Sequence, residues 1–313
     1  MSVRINPFRW SELAGVLPLL DDSLRRDPIS ESVFTRKVLL DPNFRAEGAL
    51  VASCDGEVAG FCLAIARQTP LENAPTDLDR GYITLIAVRS DLQRQGIGGE
   101  LLEHAEAYLR SQDRTTALIS PYSPGYFTPG VDPEAYAPAI SFFARHGYRE
   151  LYRAISMKTS LPQPGPPAWS QAMTARLKAE GICIESYEPA LTVPLLDFVA
   201  REFPGDWVRV VREAMGAVLS GAAAARLVIA HEGGEILGFV HHENERFGPI
   251  GVAASRRGRG VGHALMFAAL RAMGQEGFRV GWFLWSDEKT ARRLYDNAQF
   301  RIDRRFTVLS KAL

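Results

Sequence analysis

Two short segments of this chain combine glycines with cationic or amide side chains in a pattern suited to holding an anion. One is Gln93-Arg94-Gln95-Gly96-Ile97-Gly98; the other is Arg257-Gly258-Arg259-Gly260-Val261-Gly262. Each follows an apolar stretch ending in valine, ITLIAV before the first and PIGV before the second, and each opens a helix-forming run. The first turn of a helix presents backbone N–H groups with no partner inside the helix. Their dipoles sum to a partial positive charge, and glycine removes the Cβ atoms that would hold a ligand away. A strand feeding such a turn is therefore a cradle for a phosphate or pyrophosphate. Arg94, Arg256, Arg257 and Arg259 add groups suited to phosphate. A single copy reads equally well as a tight turn whose glycines serve packing. Two copies in the same context favour a ligand.

The elements around the two segments repeat as well. Residues 93, 96 and 98 correspond to 257, 260 and 262, at a constant offset of 164. Upstream, ALVAS, Asp55-Gly56-Glu57 and VAGFCLAIA read as a hairpin, matched by RLVIA, Gly233-Gly234-Glu235 and ILGFVHH. That pair is offset by 178, which places a loop insertion within RQTPLENAPTDLDRG of the first half. Pro162-Gln163-Pro164-Gly165-Pro166-Pro167 disfavours helix and sheet alike and reads as a spacer. The expected organisation is a domain at 1–161, a linker at 162–168 and a second domain at 169–313. Each domain is expected to be an α/β (α+β) unit, a mixed and mostly antiparallel sheet with helices on both faces.

A dinucleotide fingerprint needs a third glycine. The first segment continues Gly98-Gly99-Glu100, and the second places Leu265 there. Q/R-x-x-G-x-G after an apolar strand instead resembles the acetyl-CoA motif of the GNAT (GCN5-related N-acetyltransferase) superfamily, and the resemblance covers nearly the whole chain as two domains in tandem. It implies acetyl-CoA as co-substrate, held by Ile86, Val88, Gln93, Arg94, Gln95, Gly96, Ile97 and Gly98 in the first domain. In the second the corresponding residues are Ile250, Val252, Arg257, Gly258, Arg259, Gly260, Val261 and Gly262.

Amide formation from a thioester needs a base for the attacking amine, donors for the oxyanion and an acid for the thiolate. The resemblance implies a tyrosine acid within A-x-x-F/L-Y-x-x-x-G-F. In Ala291-Arg292-Arg293-Leu294-Tyr295-Asp296-Asn297-Ala298-Gln299-Phe300 that residue is Tyr295, with Gln299 where glycine is usual. The first domain has Phe143 there, which donates no proton, so the second domain is expected to be the catalyst. Taken alone, Tyr295 also reads as a packing aromatic on an amphipathic helix. Glu243 and Glu245, before the second signature strand, are the candidate bases, against a plain reading as exposed charges. His241, His242 and the carboxylate of Leu313 are alternatives. Asp206 beside Trp207 is a candidate for holding a cationic amine or a helix N-cap. The loop SPYSPGYFTPGVDPEAYAPA of the first domain reads as ordered and functional or interface-forming.

Composition narrows the classes. With 36 Lys plus Arg against 36 Asp plus Glu, no basic surface points to nucleic acid. No apolar run approaches a membrane span, and no metal-ligand spacing is present. Cys54, Cys62 and Cys183 form no C-x-x-C pair and suit a reducing, cytoplasmic setting as small core residues. The expected activity is acetyl transfer to the primary amine of a small molecule by a monomer or homodimer. The alternatives are a protein N-acetyltransferase and a non-catalytic acyl-CoA-binding regulatory protein.

Overall fold

The structure is a computed structural model that describes residues 3–72, 77–161, 166–221 and 225–313. The chain begins with β1 (Val3–Pro7), α1 (Leu13–Ser23), α2 (Glu31–Phe34), β2 (Ala49–Cys54) and β3 (Glu57–Ala66). The first signature strand is β4 (Arg80–Val88), followed by α3 (Ile97–Ser111), β5 (Thr116–Ile119), α4 (Ala137–Arg145) and β6 (Arg149–Ser160). The order then repeats after an extra helix, α5 (Ala168–Ala179): β7 (Ile182–Ser186), α6 (Thr192–Glu202), α7 (Trp207–Leu219), β8 (Ala225–Glu232) and β9 (Glu235–Glu243). The second signature strand is β10 (Arg246–Val252), followed by α8 (Val261–Gln275), β11 (Val280–Ser286), α9 (Glu288–Thr290) and β12 (Arg301–Ala312).

Local chemistry explains the turns. The β2–β3 hairpin closes through Asp55 (φ 51°) and Gly56 (φ 89°), and β8–β9 closes through Gly233 (φ 55°) and Gly234 (φ 89°). Two consecutive left-handed residues match the twist of an antiparallel pair, so Asp-Gly and Gly-Gly select this turn. β3 is buried along almost its whole length because both of its faces are covered. One face of its sheet packs on α3 through Leu101, Leu102, Ala105 and Leu109. The other packs on α1 and α2 through Val16, Leu20, Phe34 and Phe61. In the second half, α8 buries Leu265, Ala269 and Met273 on one face, and α6 and α7 bury Phe198, Val199 and Val211 on the other.

Packing divides the chain into two units, each a mixed α/β sheet. Unit 1 draws on residues 1–70, 76–154 and 305–313; unit 2 draws on 71–75 and 155–304. In unit 1, β1 to β5 lie in sequence order and β5 pairs antiparallel with the end of β12, from Leu309↔Ile119 to Ala312↔Thr116. In unit 2, β7 to β11 lie in order and β11 pairs antiparallel with the end of β6, from Val280↔Ser160 to Ser286↔Ile155. These boundaries differ from 1–161 and 169–313. The duplicated pattern records ancestry, but hydrogen bonding decides membership, and the last strand of each unit is supplied from outside its own repeat. Of the expected 162–168 linker, residues 162–165 lie outside the described residues, and Pro167 directly precedes α5. No regular element lies between β3 and β4 among the described residues, as expected of a loop insertion. The Pro- and Tyr-rich loop is tied down within unit 1: Val131 bridges Thr307, and Tyr136 donates to Asp27 at 2.8 Å. Cys54 and Cys62 are buried, whereas Cys183 is exposed and not a core residue.

A polypeptide ending at residue 161 would therefore lack the strand that pairs with β5 and the buried Leu309. It is expected to aggregate, or to melt about 10 °C below the same polypeptide supplied with a peptide of residues 301–313. Equal melting with and without the peptide would contradict the assignment.

Candidate active site

The site begins where a ladder ends. β4 and β5 pair in parallel from Arg80↔Thr116 to Ile83↔Ile119 and then part. β10 and β11 pair at Arg246↔Trp282 and then part. At each parting the signature strand carries a bulge, with Thr84 the extra residue in β4 and Gly248-Pro249 opposite His241 in β10. A bulge re-aims a strand and interrupts its pairing. Beyond it, Leu85–Val88 and Ile250–Val252 keep their antiparallel partner on one side and lose the parallel one on the other. Such an edge can accept an extended amide chain as an added strand. Ile86 and Val88, like Ile250 and Val252, are half-buried and pack toward the core beneath the following helix.

The strand then turns into that helix, and the turn is built alike in both units. Gly96 (φ 94°) and Gly260 (φ 96°) are the N-caps of α3 and α8 in the left-handed conformation, which glycine adopts without strain. Gln93 Nε2 donates to the Val88 carbonyl at 3.1 Å, and Arg257 Nε donates to the Val252 carbonyl at 3.2 Å. The Q/R position thus holds the turn against its strand. The sequence pattern suggested a phosphate contact for this side chain and did not show this role. Arg256 pairs with Glu232 and Arg259 with Glu180, at 3.0 and 2.9 Å. Arg94 and Gln95 are exposed, Gln95 donating to the Asp91 carbonyl at 3.2 Å. Ile97 and Val261 are buried, anchoring the first helical turn, while Gly98 and Gly262 are half-buried.

A further support was not legible in the sequence. Glu202, at the end of α6, accepts from the Ala254 N–H at 3.0 Å. That bond holds its carboxyl below the ordinary value. Asp22, at the end of α1, stands against Ser90 in the matching way; Arg25 and then Ser90 hold its carboxyl low. One carboxylate from the first helical layer thus fixes the turn after each signature strand. Nothing in sequence spacing links 202 to 254, because the two meet only through the fold.

Opposite the cradle, Leu294 packs over Gly262 as Phe142 packs over Gly98. Tyr295 and Phe143 therefore occupy corresponding positions, and Gln299 (φ 57°) takes the left-handed place of Gly147 (φ 87°). The Tyr295 ring is buried among Phe247, Phe283 and Phe300, with 4.5 Å between its centroid and that of Phe283. Phe247 and Phe283 belong to the two strands that part, so the ring sits at the splay. Burial, and then the charge of Asp287, raise its hydroxyl well above the ordinary value. It stays protonated through neutral pH, as an acid must.

The candidate bases fall elsewhere. Glu243 is exposed at the end of β9, and Glu245 lies in the β9–β10 turn, its carbonyl accepting from Trp282. They stand where the two strands begin to part, and from Glu245 to the unpaired edge at Ile250 the strand runs on the order of 16 Å. The reason is hairpin geometry: both charges sit at the tip, where solvent solvates them. His241 and His242 are buried, and among the described residues no hydrogen bond of sound geometry reaches either ring nitrogen. Burial drives both down to about 4. His242 shares its face with Phe247 and Phe278, whereas His241 faces the α6–α7 side, beside the Gly248 backbone. Asp206 pairs with Arg209 at 2.5 Å and makes no N-cap bond, so its charge is already matched. Trp207 stacks on Phe203 at 4.7 Å. Leu313 closes β12 in unit 1, its N–H donating to the Thr115 carbonyl. Among the described residues no cluster could hold a metal, and no helix is long and apolar enough to cross a membrane.

The two histidines make stability pH-dependent. Their folded values lie below the ordinary 6.5, so the unfolded chain takes up protons first as pH falls. Stability is expected to be flat above pH 6.5 and to decline toward pH 4.5, by about 3 kcal/mol for each histidine. Denaturant titrations at pH 7.5 and 4.5 measure this, and His242→Leu should remove its share. No decline in the wild type would contradict the buried, neutral assignment.

Comparisons with known proteins bear on the family and the fold. A model of the acetyltransferase (GNAT) family matches residues 17–148, and a model of an acetyltransferase (GNAT) domain matches 223–302. The comparison with curated proteins found no match. Among solved structures, a glucosamine N-acetyltransferase region of a fungal multi-domain β-N-acetylglucosaminidase is similar with a TM-score of 0.79 at 20% identity. The match covers 99% of this chain but only 38% of that larger one. A GCN5-related N-acetyltransferase from Sphaerobacter thermophilus gives 0.72 at 18% identity, covering 99% and 95%. A tandem GNAT protein of the clavulanic acid biosynthesis pathway gives 0.65 at 17%, covering 99% and 98%. At these identities the likeness speaks to the fold.

Proposed function

The chain belongs to the GNAT acetyltransferase family, with two such domains in tandem, and from that premise we propose that it transfers an acetyl group from acetyl-CoA to the primary amine of a small molecule. The observation that carries this reading is the splayed signature strand running into a glycine-capped helix N-terminus. Acetyl-CoA joins a pyrophosphate to an extended amide arm and a thioester. The helix N-terminus suits the first, and the unpaired edge at 85–88 or 250–252 suits the second. Backbone N–H groups at that edge are the proposed donors to the thioester oxyanion.

The amine attacks the thioester carbonyl, the C–S bond breaks, and the departing thiolate takes a proton. Tyr295 is the proposed donor, at the splay and protonated at neutral pH. Phe143 carries no hydroxyl, so unit 2 is the proposed catalyst. For the proton lost by the amine, His241 replaces Glu243 and Glu245 in this proposal. It is buried, neutral at pH 7 and opposite the bulge. Phe239 lies two residues before it on the same face of β9 and packs with Phe203 and Trp207, so the side chains on that face are apolar. The glucosamine acetylation named for the fungal region makes an aminosugar the first acceptor to test.

The test is release of free thiol from acetyl-CoA with a panel of aminosugars, polyamines and amino-acid amides. Turnover with one of them is expected, and Tyr295→Phe should lower kcat about 100-fold with acetyl-CoA binding intact. Because the Tyr295 hydroxyl titrates above its ordinary value of 10, the wild-type rate should not fall on its account between pH 7 and 10. An unchanged kcat in Tyr295→Phe would remove Tyr295 from the mechanism. Acetyl-CoA binding with no turnover of any amine or peptide would favour an acyl-CoA-binding role instead.

A further inference from the structure

The two cradles are alike in backbone but not equally open. Gly96 is exposed, and a Cβ built on it would meet nothing within 4 Å among the described residues. Gly260 is buried, and a Cβ there would clash with the Met173 sulfur and lie 2.6 Å from its Cγ. Met173 belongs to α5. The same helix holds the turn by its polar groups. Arg176 Nη2 donates to the Arg259 carbonyl at 2.7 Å, and Glu180, just past the helix end, draws in the Arg259 guanidinium at 2.9 Å. Arg176 and Glu180 also pair with each other at 3.1 Å. At the start of α5, Trp169 packs edge-on against His263 and Phe267 of α8. The helix thus lies along α8 and past its N-terminus, with its cationic and thioether side chains against the turn.

We propose that α5 is a built-in occupant of the second cradle: the resting protein takes acetyl-CoA at the first cradle, and the second admits it only when α5 lifts away. Two features that an incoming pyrophosphate would use are engaged. The space beside the N-cap glycine holds Met173, and the Arg259 cation is matched by Glu180; Arg176, donating to the Arg259 carbonyl, ties the helix to the turn. The hold is light enough to release. Within α5 only Ser170 and Leu177 are buried, whereas α8 buries eight residues, and its ion pairs are exposed and weak. Low-burial elements are those that open locally. Since Tyr295 stands in the unit beneath α5, this contact is autoinhibitory. The inference rests on the acetyl-CoA reading above.

Calorimetric titration with acetyl-CoA separates the two. The wild type is expected to bind one equivalent, lost in Gly96→Val, whose branched side chain is strained at φ 94°. Met173→Ala/Arg176→Ala should gain a second equivalent and lower the acetyl-CoA KM at least tenfold with kcat little changed. Glu180→Gln leaves the apolar seat of α5 intact and should also tighten the second site, roughly fivefold. Two equivalents in the wild type, a single equivalent that survives Gly96→Val, or no second equivalent in a folded α5 variant would each overturn the proposal. No binding by any variant would instead defeat the acetyl-CoA reading itself.

Discussion

Everything proposed for this chain depends on a pairing that stops. Two parallel strands pair and then part, after four residue pairs ending at Ile83 in one unit and after the single pair at Arg246 in the other. A fold ordinarily satisfies backbone groups within its sheet, so an interior strand edge without a neighbour is costly unless something else fills it. Here the bulge turns the strand away, a carboxylate from the first helical layer pins the turn beyond it, and a left-handed glycine starts a helix aimed at the same space. Unpaired edge and helix N-terminus together specify an extended amide arm ending in phosphates better than either does alone.

Much of this was legible in the sequence, for physical reasons. Glycines at 96 and 260 were readable because only glycine tolerates their φ without strain. The hairpins were readable from Asp55-Gly56 and Gly233-Gly234, because the turn type demands left-handed residues. The correspondence of Tyr295 with Phe143 was readable because both follow the same helical pattern. Other features were not. The Q/R side chains looked like phosphate ligands, yet Gln93 and Arg257 bond to their own strand ends. Charge type shows what a side chain can bind but does not show what lies next to it. Glu243 and Glu245 were close in sequence to the signature strand, yet they stand at the hairpin tip, on the order of 16 Å along the strand from the unpaired edge that starts at Ile250. The partners of β5 and β11 were hidden because strand pairing is non-local, and a period-two pattern does not name its neighbour.

Duplication also explains the asymmetry between the units. Two copies of one cradle are redundant, so each is free to change. The first has Phe143 and an open turn; the second has Tyr295 and α5 over its turn. Binding and chemistry are then weighted toward different copies, and a helix with little buried surface governs access to the copy that holds the acid.

The most direct test of the central claim is amide hydrogen exchange with and without acetyl-CoA, read by peptide mass spectrometry. The account predicts protection confined to the parted strand and its turn, residues 84–98 in the resting protein. Peptides over 250–262 should change only when α5 is loosened. Saturable binding that leaves 84–98 unprotected, or protects another surface, would contradict the claim that the parted strand and glycine-capped helix form the cofactor site.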